Sequence, residues 1–390
     1  MSQTAPYVPG PPADSDQPAT RLQRVRGAIR SKLLLLPLAI VLILIAIPGG
    51  TYVFAASQLS SAQSLEAAGA YSRALSAFAT VHAVAGNPLA RPLLGDLNDH
   101  ALTGTAETHF LWGTQLKQQG KFADSEAQLH AVVQSGIADW AAKGNAALAE
   151  LFIAWGQALV SQQQFQAGID KYKAVAAFDP AGNLSPSTNV GLAAAYAGFA
   201  QWYTQQQPPD YPNALVWYET LKKELPDSPQ AKQAAAEALP QTLYKAGLAF
   251  VDELKYQQAL DAMTELVQNY PTTSWATQAN AALRASQPLT GKLIVSDQNP
   301  TPVANRLIRI ASKWRIVAPH TYDDSNGQIY GTTTDASGNF KLLLPPGQYL
   351  ITWYDPSRHT FVTTFVSDVQ PVNVVTINPL QPASTTVASS

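Results

Sequence analysis

The chain of 390 residues contains no cysteine. That absence excludes disulfides, thiolate zinc sites, iron–sulfur clusters and a cysteine nucleophile. Charge is scarce as well. Asp, Glu, Lys and Arg make up 13% of the chain, against about 25% in typical soluble proteins. The net charge of −2 lacks the basic excess that marks nucleic-acid binders. No G-x-G pair occurs, so the dinucleotide fingerprint is missing. The phosphate loop G-x₄-G-K-[ST], the zinc helix H-E-x-x-H and the nucleophile elbow G-x-S-x-G are missing too. The six histidines form no close pair at ligand spacing. What is abundant is apolar: 46% of residues are hydrophobic, enough for a large core or several small ones.

The charge is placed unevenly. Residues 1–32 carry Arg21, Arg24, Arg26, Arg30 and Lys32 against Asp14 and Asp16, and five prolines stand in the first twenty positions. Such a segment buries too little apolar surface to fold, which predicts a disordered basic tail. From Leu33 no charge appears until Glu66. The run Leu33–Ile47 is intensely apolar, and as a helix it spans roughly 22 Å, short of a bilayer. Extended to Ala56 it reaches roughly 36 Å, which suffices. Residues 33–56 therefore read as a single transmembrane helix with a kink at Pro48-Gly49-Gly50. Tyr52 and Phe54 would lie at the far interface, where aromatic rings are favoured. The basic flank puts the N-terminus in the cytoplasm and the bulk of the chain outside it. A signal peptide cleaved before Ala56 is the competing reading, and it also places the remainder outside the cytoplasm.

Residues 57–287 are rich in Ala, Leu and Gln, with apolar positions at helical spacing. A pattern recurs within them. Phe152-x₂-Trp155-Gly156-x₂-Leu159 precedes Phe165, Gly168 and Tyr172. His109-x₂-Trp112-Gly113-x₂-Leu116 precedes Phe122, Ser125 and Leu129. Leu243-x₂-Ala246-Gly247-x₂-Phe250 precedes Tyr256, Ala259 and Met263. Ser61-Ala62-x₂-Leu65 precedes Tyr71 and Ala74, and a further copy starts at Tyr211 with Ala214. This resembles the tetratricopeptide repeat, a stacked pair of antiparallel helices. On that resemblance the small residue lets two helices approach, and the aromatic starts the second helix. The aromatics stand 51, 43, 46 and 45 residues apart, not about 34 as in the family. The extra residues must lengthen helices or loops.

Past Gln287 the texture changes to short alternating runs between turns. The strand candidates are Gly291–Ser296, Arg306–Ala311, Gln328–Thr333, Asn339–Leu344, Gln348–Tyr354, His359–Val366 and Val372–Ile377, which suggest an antiparallel β-sandwich. Thr334-Asp335-Ala336-Ser337-Gly338-Asn339-Phe340, followed by Pro345-Pro346-Gly347-Gln348-Tyr349, resembles the carboxypeptidase regulatory-like family on its transthyretin-like sandwich. The resemblance spans 288–380 and implies structural roles for these residues. The remainder, 381–390, reads as a disordered tail.

The expected fold class is therefore multidomain α plus β: a membrane helix, an all-α repeat region and a β-sandwich. The expected function is a non-catalytic, membrane-anchored scaffold for protein partners in the cell envelope, with no cofactor and no metal. A wall-polymer or glycan adaptor acting through the sandwich, at Trp314 or Trp353, is the alternative. In tetratricopeptide folds the first helix of each pair lines the concave face. One residue beyond the packing positions, that resemblance gives Phe110, Thr114, Ile153, Gln157, Tyr244 and Leu248 as partner-binding candidates. Packing between repeats is the other reading of the same residues. His109 falls on a helix-packing position, which points to packing before metal binding. Asp323-Asp324-Ser325-Asn326-Gly327 lacks the alternating spacing of a calcium loop and reads as a solvated hairpin turn.

Overall fold

The computed structural model describes residues 49–389. The expected cytoplasmic tail and the greater part of the expected membrane segment lie outside the described residues. Among the described residues no helix is long and apolar enough to cross a membrane. Helix α1 covers 49–67, with Gly49 and Gly50 inside it.

The helices that follow begin where the aromatic pattern places them. α2 (Tyr71–Ala85), α4 (Phe122–Val133), α6 (Phe165–Ala174), α8 (Tyr211–Glu224) and α11 (Tyr256–Asn269) each start on the repeat aromatic. Their partners are α1, α3 (Arg91–Gln118), α5 (Ala138–Ser161), α7 (Ser185–Thr204) and α10 (Leu239–Asp252). A short α9 (Pro229–Gln233) leads through a π turn into α10, and α12 (Ser274–Arg284) closes the series. The long repeat period resides mainly in the first helices. α3 and α5 have 28 and 24 residues, whereas α4 and α6 have 12 and 10.

Four of the turns inside pairs share one geometry. Gly69, Gly120, Gln163 and Leu254 all have φ between 60° and 72°. The next N–H in each turn, from Ala70, Lys121, Gln164 or Lys255, reaches back to the carbonyl of Leu65, Leu116, Leu159 or Phe250 at 2.8–2.9 Å. This is the Schellman closure, in which a left-handed residue lets the chain satisfy the last helical carbonyls and reverse.

The small residues sit where helices touch. Ala62, Ala74, Ser125, Ala214 and Ala259 are fully buried. A Cβ on Gly113 would stand 2.9 Å from Leu129, one on Gly156 3.1 Å from Tyr172, and one on Gly247 2.9 Å from Met263. These contacts give the repeat alignment its physical content: a methyl group at any of the three is opposed by a neighbouring side chain.

By compactness the chain divides inside α5, between Leu151 and Phe152. In the first unit a core of Ala62, Phe78, Val81, Leu94 and Ala101 joins α1, α2 and α3. In the second, Tyr196, Leu221, Leu243, Met263 and Leu266 form the helical core.

Only Ala285 and Ser286 separate α12 from the first strand. β1 (Gln287–Ile294) begins four residues before its candidate and ends two before it, whereas β2 (Leu307–Ala311), β5 (Ile329–Thr333), β6 (Asn339–Leu344), β7 (Gly347–Asp355) and β11 (Val374–Ile377) match sequence candidates closely. The candidate His359–Val366 is two strands, β8 (Thr360–Val362) and β9 (Phe365–Ser367). β3 (Arg315–Ala318), β4 (Thr321–Asp323) and β10 (Gln370–Pro371) are additional. One sheet runs β12-β1-β6, with β12 at Ala383–Ala388, and the other β11-β7-β2-β5, with β8 on β7. Leu289, Leu293, Phe340 and Leu344 from the first meet Ile308, Ile310, Tyr349, Ile351 and Trp353 from the second in one core. The arrangement is a two-layer sandwich.

Two expectations are corrected here. Residues 383–388 are strand β12 (Ala383–Ala388), not a tail; it pairs with β1 over six positions and buries Val387 completely. That pairing is parallel, so the sandwich is not antiparallel throughout. The β-branched Thr385, Thr386 and Val387 suit a pleated surface, and β1 supplies the partner.

Candidate functional site

Phe110 and Thr114 lie one turn apart on α3, Ile153 and Gln157 on α5, and Tyr244 and Leu248 on α10, so each pair shares a helix face. Gln157 and Leu248 are exposed, and the other four are half-buried. The two aromatics have equivalent neighbours. The Phe110 ring lies 5.8 Å from Trp140, in the first turn of α5, and the Tyr244 ring lies 5.6 Å from Trp275, in the first turn of α12. Each therefore spends part of its ring on the helix two places further on, as the packing reading expects, and leaves part outward. Ile153 lies at the margin of the helical core in the second unit.

The lysines beside these rings carry no signal in the repeat pattern. Lys143 Nζ stands 4.2 Å from the Trp140 ring centre, Lys171 3.5 Å from Trp155, and Lys245 5.8 Å from Trp275. An ammonium over an indole face is attracted by the ring quadrupole. The first-helix aromatics of this chain are thus bordered by positive charge as well as apolar surface. The lysine three positions after Trp140 offered a signal, since i,i+3 residues meet on a helix. Lys171 and Lys245 reach their rings from another helix and offered none.

Two polar clusters fix helices in the second unit. Lys222 on α8 contacts Glu219 at 2.8 Å and Glu265 on α11 at 2.6 Å. Burial disfavours the Lys222 charge, but its hydrogen bonds to both carboxylates outweigh that and raise its pKa. Burial raises Glu219 in turn. Tyr196 donates a 2.6 Å hydrogen bond to Glu224, joining α7 to α8, and burial followed by that bond holds its phenol protonated. In the first unit His109 Nδ1 lies 2.7 Å from Gln128 Oε1 between α3 and α4, the packing role its position predicted. Among the described residues no group of three His, Cys, Asp or Glu could hold a metal ion.

In the sandwich Trp353 is 5% exposed and lies in the core, so it offers no ligand platform. Trp314 is half-buried in the β2–β3 loop. The Asp323–Gly327 segment connects β4 to β5, but those strands do not pair with each other. Its acids are bound by arginines: Arg315 reaches Asp323 at 2.8 Å and Arg309 reaches Asp324 at 2.7 Å. Hydrogen bonds from Ser325, then Arg315, hold the Asp323 carboxyl down to about 2. Beside them opens a cleft of ≈ 740 Å³ lined by Arg309, His320, Tyr322, Asp324, Arg358 and Phe361. Arg309 stacks toward Phe361 at 5.5 Å.

No family model matches the chain, and no curated protein matches it. Solved structures of tetratricopeptide proteins do. YrrB, described as a TPR protein with an unusual peptide-binding site, is 12% identical and covers 57% of this chain and 90% of its own, with a TM-score of 0.18. The C-terminal part of a TPR repeat-containing protein from Cytophaga hutchinsonii is 14% identical over 57% of this chain and 98% of its own, with a TM-score of 0.19. PilW, a type IV pilus biogenesis factor, is 14% identical over 58% and 98%, with a TM-score of 0.18. At these scores the chain's own geometry carries the reading: stacked helix pairs followed by a β domain.

Proposed function

We propose that this chain is a membrane-anchored, extracytoplasmic scaffold that binds protein partners in the cell envelope through its helical repeats, without catalysis. The observation that carries the reading is the repeated arrangement on the first helices. At Phe110 in the first unit and at Tyr244 in the second, a half-buried aromatic packs on an indole that a lysine caps. Such a face offers an apolar, weakly basic strip to a peptide carrying apolar and acidic side chains. The anchor rests on the uncharged run from Leu33 and the basic residues before it. Photo-crosslinkers at Gln157 and Leu248 in native membranes test the strip. Both positions should capture one common protein, and a label at Ala68 should not. Equal capture at all three, or none, sinks the reading.

The adaptor alternative keeps one supporting observation, the cleft at Arg309, Tyr322 and Phe361, where charged groups and ring faces could hold a sugar. Retention of the protein on purified wall polymer, abolished by Phe361→Ala, would favour it over the scaffold.

A further inference from the structure

We infer that the end of the first unit where the α2–α3 loop meets the first turn of α1 rests on the lipid surface of the membrane. The inference depends on the anchor reading above. A hollow of ≈ 390 Å³ opens at this end, lined by Thr51, Val84, Leu89, Leu93 and Leu94 among others. Its rim is unusually apolar: Leu89 is 91% exposed and Leu93 67% exposed. Single exposed leucines are ordinary on soluble proteins, but a cluster around a hollow marks a covered surface.

The covering is indicated by the chain itself. Thr51 follows Ile47, the last residue of the apolar run, by four residues. Fully extended, that chain spans at most roughly 14 Å. On the anchor reading, with residues 33–56 as the span, Thr51 and the leucines that share its hollow stand at or just inside the interface. Tyr52 and Phe54, both exposed on α1, are the residue types favoured at that depth. Charge agrees. The only acidic residue from Leu33 to Gly95 is Glu66, at the other end of α1, while Arg91 sits between Leu89 and Leu93. Arg91 offers anionic headgroups a cation between the two exposed leucines, and basic residues near such a surface are attracted to it; the nearest carboxylate in sequence, Asp96, follows Leu93 by three residues along α3. Leucines sunk to the acyl boundary and an arginine at headgroup level form the usual interfacial pattern.

The missing cysteines make a direct test simple. The full chain carrying Leu93→Cys, labelled with an environment-sensitive nitrobenzoxadiazole dye, is reconstituted into phosphatidylcholine–phosphatidylglycerol vesicles. A second sample carries the dye at Ala68→Cys, beyond the far end of α1 and roughly 25 Å away along it. The dye at 93 should emit blue-shifted light and lose most of its intensity to lipid-borne nitroxide quenchers. The dye at 68 should behave as in water. In a Leu89→Asp background the blue shift at 93 should fall away while the protein still floats with the vesicles. A water-like dye at 93 on floating protein overturns the inference and leaves the anchor standing. A blue-shifted dye that lipid-borne quenchers do not reach also overturns it, because protein then fills the hollow. Failure of the chain to float overturns the anchor and this inference together.

Discussion

The hydroxyl of Ser125 donates a 2.7 Å hydrogen bond to the carbonyl oxygen of Gly113, tying α4 to α3. The pair needs two small residues at once, one to bring the backbone near and one to reach it. Ser125→Ala should lower stability by about 1 kcal/mol, the value of a buried hydrogen bond. Ser125→Leu should add roughly 1–3 kcal/mol of overpacking. Chemical denaturation of the two variants checks the order, and equal midpoints would mean the helices do not meet there.

The four Schellman turns predict an asymmetry. Leu254 holds φ at 60°, where a side chain costs about 1–2 kcal/mol, and Leu254 is 70% exposed, so it recovers little by burial. Leu254→Gly should raise stability by up to about 1 kcal/mol. Gly120→Leu, at the equivalent turn, should lower it by a similar amount. A thermal melt in which both move the same way would contradict the shared geometry.

Glu66 should make the first unit sensitive to pH. Burial raises its carboxyl above the ordinary 4.5, and neighbouring Glu107 adds to this, while a hydrogen bond from Thr108 opposes it. Thr108 Oγ lies 2.6 Å from Glu66 Oε1 and 2.7 Å from the Gly104 carbonyl, and its single proton serves one of them at a time. The folded state holds the Glu66 proton more tightly than the unfolded chain does. That contribution is present below pH 4.5 and lost as pH rises through the folded value. Glu66→Gln, whose amide can donate to Thr108, should raise the melting temperature at pH 7 and leave it unchanged at pH 3. An unchanged melt at pH 7 would place Glu66 in solvent.

Truncation after Leu380 tests β12. It removes Val387 from the sandwich core, worth about 1.5–3 kcal/mol by burial alone, and bares the edge of β1. The truncated chain should unfold earlier in its β signal and aggregate more readily. A truncated chain as stable as the parent would return residues 383–388 to a tail.

The starts of the second helices were legible because one aromatic every 43 to 51 residues cannot be an accident of composition when a buried small residue follows each at the same offset. The turn geometry was half legible. Gly69 and Gly120 announce it, whereas Gln163 and Leu254 adopt the same backbone without a residue that favours it. Phe340 and Tyr349 are both buried, in keeping with the structural roles the resemblance implied, but they enter the core from opposite sheets and not from adjacent strands, because β6 pairs with β1 and β7 with β2 and β11. β12 was not readable, since its six residues show no apolar–polar alternation and its partner stands about ninety residues away. The partner-binding candidates fall in pairs on three first helices, but the rings beside two of them, Trp140 and Trp275, come from helices that the pattern does not connect to them. Tertiary packing, not local spacing, brings those rings together.

The parallel pairing of β1 and β12 gives the two strands that carry the ends of the β domain a common direction. The chain enters at Gln287 and leaves after Ala388, at opposite ends of the same ladder, whose six residue pairs span roughly 20 Å. Tension applied between the helices and the C-terminus therefore slides one strand along the other and loads the whole ladder at once. A hairpin pulled at its open end parts one rung at a time; this ladder must shear as a unit. A load passed between the helices and the C-terminus thus runs through the whole of this ladder, built from the first and last strands of the β domain.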